Sequence, residues 1–195
     1  MFAKTILPLL VAAVAAAPTA PVERQEQELQ PWQIRPLYTH SPSGRLGNDP
    51  HSTLNFTIHD PNTIRLQPGI RGWAVLPPVT VNCSAQWLTN EDVPWGVGIP
   101  CTAVDYGTWT FTMVPGSGEA GYGATTDFGL EFKQFRSVNV LGNLHERTFE
   151  GEGKFKVGVN LSGQCGGSGV CNWGLTETPY LVQQTLTQCA GELCR

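Results

Sequence analysis

The six cysteines are the residues whose chemistry this sequence defines best. They are Cys83, Cys101, Cys165, Cys171, Cys189 and Cys194. An even set of cysteines in a chain with an export signal indicates disulfides, although six cysteines allow fifteen pairings. Proximity in sequence favours Cys83–Cys101, Cys165–Cys171 and Cys189–Cys194. A metal site is the alternative, but no cysteine–histidine cluster has zinc-ligand spacing. We therefore expect three local disulfides and no metal or cofactor.

Catalysis by a nucleophile has no recognisable pattern in this sequence. It would need a serine or cysteine beside a base, but the cysteines are expected to be paired and no Gly-x-Ser-x-Gly motif occurs. The histidines are scattered, at His40, His51, His59 and His145. The pairs Asp49–His51 and His59–Asp60 could meet and bind a metal, but histidines near turns are more often ordinary surface residues.

Carboxylates offer the other route to catalysis. Glycosidases place two of them across a cleft, and the candidates here are Glu131, Glu146, Glu150 and Glu152. Such residues on an outward strand face are more typical of a solvated surface. We therefore expect no catalytic residues and no enzymatic activity. A secreted hydrolase acting on cell-wall polysaccharide remains the alternative, and it would require two carboxylates to converge in a cleft.

The loop between Cys83 and Cys101 is the best candidate for recognition. It carries Trp87 and Trp95 with Glu91 and Asp92 between them, and exposed aromatics beside charges are typical of binding surfaces. In the alternative, both tryptophans fold back and plug one end of a barrel. The two acidic residues would be costly to bury, so the middle of the loop should stay in water.

Three N-glycosylation motifs occur, at Asn55, Asn82 and Asn160. Each asparagine is out of phase with the apolar residues of its predicted strand, so each should face outward. We expect glycans on Asn55 and Asn160. Asn82 is the poorest acceptor because the neighbouring Cys83 is tied into a disulfide.

The N-terminus and the overall composition point to export. Residues 1–17 combine Lys4 with a short apolar run and small residues before Ala17, which is typical of a signal peptide. The 195-residue chain is long enough for one domain with a substantial core. Without the signal peptide its formal charge is −5, which disfavours nucleic acid and anionic membranes as partners. We predict a secreted, extracellular protein.

Apolar residues recur at every second position in many short segments, which predicts strands. The clearest cover residues 32–38, 54–58, 79–83, 108–113, 128–133, 154–161 and 180–188. Pro36 lies inside the first of them and predicts an edge strand. The sequence therefore predicts an all-β, antiparallel barrel or sandwich over residues 32–188. A disordered leader at 18–31 should precede it, and a cysteine-containing tail at 189–195 should follow it.

The chain contains an ordered set of motifs: Trp32-Gln-Ile34, Leu54-Asn-Phe56-Thr-Ile58, Asn82-Cys83-Ser-Ala-Gln86, Cys101, Phe128-Gly-Leu-Glu-Phe132 and Cys165-Gly-Gly-Ser-Gly-Val-Cys171. This set resembles the secreted fungal family of the major allergen of Alternaria. The resemblance covers roughly residues 30–178. It implies a β-barrel with the disulfides Cys83–Cys101 and Cys165–Cys171. It also implies allergen, elicitor or effector roles that engage host defence proteins or small phenolic ligands.

Two departures from that family affect the expected assembly. The type member has an early cysteine that links a covalent dimer, but no cysteine precedes Cys83 here. The tail with Cys189 and Cys194 is additional. We therefore expect a monomer or a non-covalent dimer. Its function should be non-enzymatic binding of a host extracellular protein or a small ligand.

Overall fold

The fold is seen in a computed structural model that describes residues 28–89, 91–117, 123–191 and 194. The predicted signal peptide lies outside the described residues. These residues form thirteen strands: β1 (Trp32–Ser41), β2 (His51–Asp60), β3 (Ile64–Gly69), β4 (Gly72–Leu76), β5 (Val79–Leu88), β6 (Gly98–Pro100), β7 (Gly107–Pro115), β8 (Asp127–Val140), β9 (Asn143–Lys156), β10 (Leu161–Cys165), β11 (Cys171–Leu175), β12 (Tyr180–Val182) and β13 (Gln184–Ala190).

The strands form two main antiparallel sheets. The first sheet has the order β10-β11-β1-β2-β5, with β12 also beside β1, and the second has the order β13-β9-β8-β7-β6. Strands β3 and β4 form a separate hairpin. The expected all-β antiparallel class is confirmed, and the two open sheets match a sandwich rather than a closed barrel. None of the described residues forms a helix long and apolar enough to cross a bilayer.

Aromatic side chains from both sheets meet in the core. Phe56 of β2 packs against Phe111 of β7 with 5.0 Å between ring centroids, and Trp32 of β1 lies 4.6 Å from Trp109 of β7. The period-two pattern of β7 correctly predicts that Trp109, Phe111 and Met113 point inward, where each is buried. Burial of each such side chain contributes roughly 1.5–3 kcal/mol.

The two sheets are joined along both sides. On one side, the Cys83–Cys101 disulfide connects β5, an edge of the first sheet, to the residue after β6, an edge of the second. On the other side, the chain passes at Gln183 from β12 in the first sheet to β13 in the second. Gly151 of β9 allows this crossing, since a Cβ there would lie 2.8 Å from the Gln183 carbonyl oxygen.

The prediction that Pro36 marks an edge strand was wrong. β1 lies inside its sheet, with β2 on one side and both β11 and β12 on the other. Pro36 falls at an irregularity in the β1–β2 register between Ile34 and Leu37. It also falls in the gap between β12, which pairs as far as Ile34, and β11, which pairs from Tyr38. A proline is tolerated there because the position needs no ladder hydrogen bond.

The predicted single strand over 154–161 is also wrong. β9 ends at Lys156 and β10 begins at Leu161, with a tight turn between them. Gly158 in this turn has a φ of +81°, and Val159 is 72% exposed. Valines at 157 and 159 happened to continue the alternation into a turn.

Both ends of the expected β domain extend further than predicted. Leu29 of the predicted leader packs against the core. The Gln30 carbonyl accepts hydrogen bonds from the amides of Asn62 (2.8 Å) and Gln184 (2.7 Å). β13 runs to Ala190, so Cys189 belongs to the second sheet rather than to a separate tail.

Candidate functional site

The tryptophans of the Cys83–Cys101 loop do not form an exposed pair. β5 continues to Leu88, and Trp87 points inward with 8% of its surface exposed. Trp95 is half-buried against the core, and the following Gly96 N–H donates to the Met113 carbonyl at 2.9 Å. The prediction that Trp87 is an exposed binding anchor was wrong, because it continues the inward phase of β5.

Glu91 and Asp92 remain in water, as expected from the cost of burying them. With Trp87 in the core, the loop lacks the pair of exposed tryptophans that made it resemble a recognition surface. The loop therefore offers an acidic tip and a half-buried Trp95.

The structure contains the three disulfides expected from sequence proximity. Cys165–Cys171 closes the β10–β11 hairpin, and Cys189 near the end of β13 is bonded to Cys194. All six cysteines are therefore paired.

The three glycosylation motifs lie in different environments. Asn55 and Asn82 are exposed on β2 and β5. Asn160 lies in the β9–β10 turn instead of on a strand. Its Oδ1 accepts from the Lys156 N–H at 2.9 Å, and its Nδ2 donates to the Lys154 carbonyl at 2.8 Å. The amide of Asn160 thus holds the turn, whereas the amide of Asn55 faces outward.

The two histidine–aspartate pairs do not form a metal site. Asp49 lies just before β2, and His51 is the first residue of β2. Their side chains are hydrogen-bonded, with 2.5 Å between His51 Nδ1 and Asp49 Oδ1. His59 and Asp60 end the same strand, about 27 Å away at the usual rise per residue. Hydrogen bonds from His51 lower the pKa of Asp49. In the part of the chain that the structure describes, no three potential ligands are grouped to hold a metal ion.

The glutamates lie on the sheet rather than across a cleft. Glu131 and Glu152 are direct partners on β8 and β9, and both are exposed. Glu150 pairs with Lys133 at 3.5 Å between the charged atoms. These carboxylates share a solvated face with a lysine, which is not the arrangement that a glycosidase needs.

A groove on the outer face of the first sheet brings polar and aromatic side chains together. It encloses about 450 Å³, and we call it the Tyr38 groove. Its walls come from β1, β2, β10 and β11, and its outward-facing residues are Tyr38, His40, Thr53, Asn55, Ser162 and Asn172. The register makes them neighbours, because Tyr38 pairs with Asn55 on one side and Gly174 on the other.

Gly174 shapes this groove. A Cβ at Gly174 would lie 3.0 Å from Cδ1 of Tyr38, so the tyrosine ring rests against the glycine backbone. Next to it, His40 Nδ1 and Asn172 Oδ1 are 2.8 Å apart, and Asn55 Nδ2 donates to Thr53 at 3.3 Å. Tyr38 is 57% exposed, and the residues lining the groove are all uncharged types apart from the titratable His40.

A second cavity lies where the β4–β5 connection, the β6–β7 loop and β8 meet. It measures about 340 Å³, and we call it the Arg136 pocket. Pro77, Pro78, Val79, Ala103 and Val104 form its apolar wall, Asp105 and Tyr106 are exposed parts of its lining, and Arg136 is its buried polar residue.

Sequence reasoning missed both cavities, although part of the signal was present. Arg136 continues the inward phase of Phe128, Leu130 and Phe132 in β8, so its burial follows from the alternation. The Tyr38 groove depends on which strands lie beside β1. Nothing near Tyr38 in the sequence indicates that residues 172–174 would be its neighbours.

No protein-family model matches this chain, and neither does any curated protein or solved structure.

Proposed function

We propose that this protein is a secreted, non-enzymatic binding protein of the effector or elicitor type, and that the Tyr38 groove is its binding site. The single observation that carries the proposal is the groove itself. An exposed aromatic ring lies beside amide, imidazole and hydroxyl groups in a concavity of about 450 Å³. Small-molecule sites usually measure roughly 300–1,000 Å³.

The lining of the groove selects the class of ligand. The Tyr38 ring offers an apolar surface, while Asn55, Asn172 and His40 offer hydrogen-bond donors and acceptors. No carboxylate or basic aliphatic side chain is among the described residues that line it. A small neutral ligand with hydroxyl groups and one apolar face, such as a sugar unit, fits this combination. The three disulfides and the resemblance to secreted fungal allergens support a role outside the cell.

Direct binding to sugars tests the proposal. Cello- and chito-oligosaccharides would be titrated into the secreted protein and followed by calorimetry or NMR. Replacing Tyr38 with alanine should weaken binding by about tenfold or more, as expected for a central aromatic anchor. Tyr106→Ala is the matched control, because Tyr106 is similarly exposed (52%) but lies outside the groove. Equal binding by wild type and Tyr38→Ala would exclude the groove as the site.

Asn55 must carry no glycan during this test, since a glycan on it would enter the groove. Thr57→Val removes the glycosylation motif and leaves the Asn55 amide in place. Asn55→Gln removes the motif and also moves the amide. Binding that rises in Thr57→Val and not in Asn55→Gln would locate the ligand beside the Asn55 amide.

The same oligosaccharides also test the rival hydrolase. Cleavage products that disappear in Glu131→Gln or Glu152→Gln would favour hydrolysis over binding. Intact oligosaccharides after prolonged incubation are the expected result.

A further inference from the structure

Arg136 has hydrogen-bonding groups that the described residues leave unused. Its side chain is buried, with 1% of the residue exposed. Nη2 donates to the Pro77 carbonyl at 3.2 Å, but Nε and Nη1 are buried without a hydrogen-bond partner. Leaving buried donors of a charged group unpaired is costly, so such donors usually bond to water, an ion or a ligand.

The charge of Arg136 is only partly balanced inside the sandwich. The nearby Asp60 carboxylate favours the charged guanidinium, but its oxygens already accept hydrogen bonds from Asn62 (2.7 Å) and Gln134 (2.9 Å). Arg147, the cross-strand partner of Arg136 on β9, is also buried. Burial lowers the pKa of both arginines. The buried Arg136 guanidinium with unused donors makes this region attractive to an anion.

The Arg136 pocket connects this guanidinium to a mainly apolar wall. Pro77, Pro78 and Val104 line it with Arg136, in a volume of about 340 Å³. Asp105 is exposed and adds a negative charge to the lining, which disfavours multiply charged anions. The space, the wall and the single cation together suit a small molecule with one negative charge and an apolar body.

We propose that the Arg136 pocket binds a small organic monocarboxylate with an apolar body, which is a site separate from the Tyr38 groove. On binding, the Arg136 side chain turns its unused guanidinium donors toward the pocket, and the carboxylate accepts hydrogen bonds from them, a pairing that arginine favours. The apolar body lies against Pro77, Pro78 and Val104.

Three small probes test this proposal on the full secreted chain. Benzoate supplies the carboxylate and the apolar body, benzyl alcohol lacks the charge, and inorganic phosphate lacks the apolar body. We expect benzoate to bind at least about tenfold more tightly than either, by NMR titration and by the rise in melting temperature with ligand concentration. Equal binding of benzoate and benzyl alcohol, or tighter binding of phosphate, would overturn the proposal.

Variants locate the site. Arg136→Met should abolish the preference for benzoate over benzyl alcohol, while Lys133→Met removes a positive charge from the outer face of the same strand and should leave the preference intact. Ala103→Trp should fill the pocket and weaken benzoate binding by about tenfold or more without touching Arg136. If Arg136→Met does not fold, Ala103→Trp decides, since unchanged benzoate binding in that folded variant refutes the site. Tyr38→Ala should bind benzoate as wild type does.

Discussion

At the scale of single residues, Trp87 illustrates how strand phase controls a side chain's role. It lies at the end of β5, in phase with Val81, Cys83 and Ala85, which all face the core. Trp87→Ala should therefore cost about 3–5 kcal/mol of stability through the cavity it leaves. Trp95→Ala should cost less, because Trp95 is only half-buried. Urea unfolding measures both, and a Trp87→Ala variant as stable as wild type would contradict the inward orientation.

The sequence contained enough information to place Trp87 correctly. The alternation that predicts a strand at Val79–Cys83 continues through Ala85 to Trp87, without a turn residue in between. Ending the strand at Cys83 made the tryptophan appear to belong to a loop. A disulfide does not end a strand, so the pairing of Cys83 carries no information about where β5 stops.

Protonation of Asp127 at acid pH should lower the free energy of unfolding. Its buried carboxylate accepts hydrogen bonds from Ser117 and lies 3.3 Å from the Lys156 amine, and the Ser117 bonds are the main cause of its lowered pKa. A lowered folded-state pKa stabilises the protein above the unfolded value of 3.8, and this contribution is lost as the pH falls through the folded value. Asp127→Asn should therefore be less stable than wild type near neutral pH.

The difference between wild type and Asp127→Asn should shrink as the pH is lowered below 3.8. Thermal melts between pH 7 and pH 2 measure this difference. Asp49→Asn is the control, since Asp49 is exposed and its bond to His51 should matter little. A stability gap for Asp127→Asn that is constant with pH would rule out this assignment.

At the scale of elements, Asn160 shows that a glycosylation motif can also be a structural turn. Its amide bonds the backbone at Lys154 and Lys156, so Asn160→Ala should cost about 1–2 kcal/mol. Asn55→Ala on the outer face of β2 should change stability by less than about 0.5 kcal/mol. Chemical denaturation of unglycosylated protein compares them, and equal effects would argue against the turn role.

The Cys83–Cys101 disulfide joins the two sheets, which gives it a larger expected effect than the other bridges. It closes a separation of 18 residues, against 6 for Cys165–Cys171. The chain-entropy relation gives about 3 and about 2 kcal/mol for the two. The paired alanine variants should melt in that order, with Cys83/Cys101 the less stable. The reverse order would mean that the sheets are held together mainly by their aromatic core.

Strand identities could be predicted from local patterns, but strand neighbours could not. The inward residues of β2, β7 and β8 follow directly from alternation of apolar and polar residues. By contrast, β1 lies beside β11 and β12, which are 130 or more residues away in the chain. Pro36 was misread for this reason: a proline tolerates either an edge or a gap between two partner strands, and the sequence does not distinguish them.

At the scale of the whole molecule, the described residues form a sandwich with the Tyr38 groove on the outer face of one sheet and the Arg136 pocket where two loops meet β8. Both cavities are lined by residues from segments distant in sequence. Alternation indicates which side of a strand each residue occupies, but the meeting of Tyr38 with Gly174, or of Pro77 with Arg136, depends on the assembled topology. The candidate site could therefore be identified only once the fold was known.

The pairing of all six cysteines predicts how the chains can assemble. All six cysteines are used in three bridges within one chain, so none is free to link two chains. The protein should therefore migrate as a monomer on a denaturing gel without reductant. Any dimer in solution must be held by non-covalent contacts, and sedimentation at several concentrations would detect it as a concentration-dependent mass. The control is the Cys189→Ser variant, which frees Cys194 and should produce a reducible dimer band. A reducible dimer in the wild type would show that at least one of the three bridges exchanges between chains.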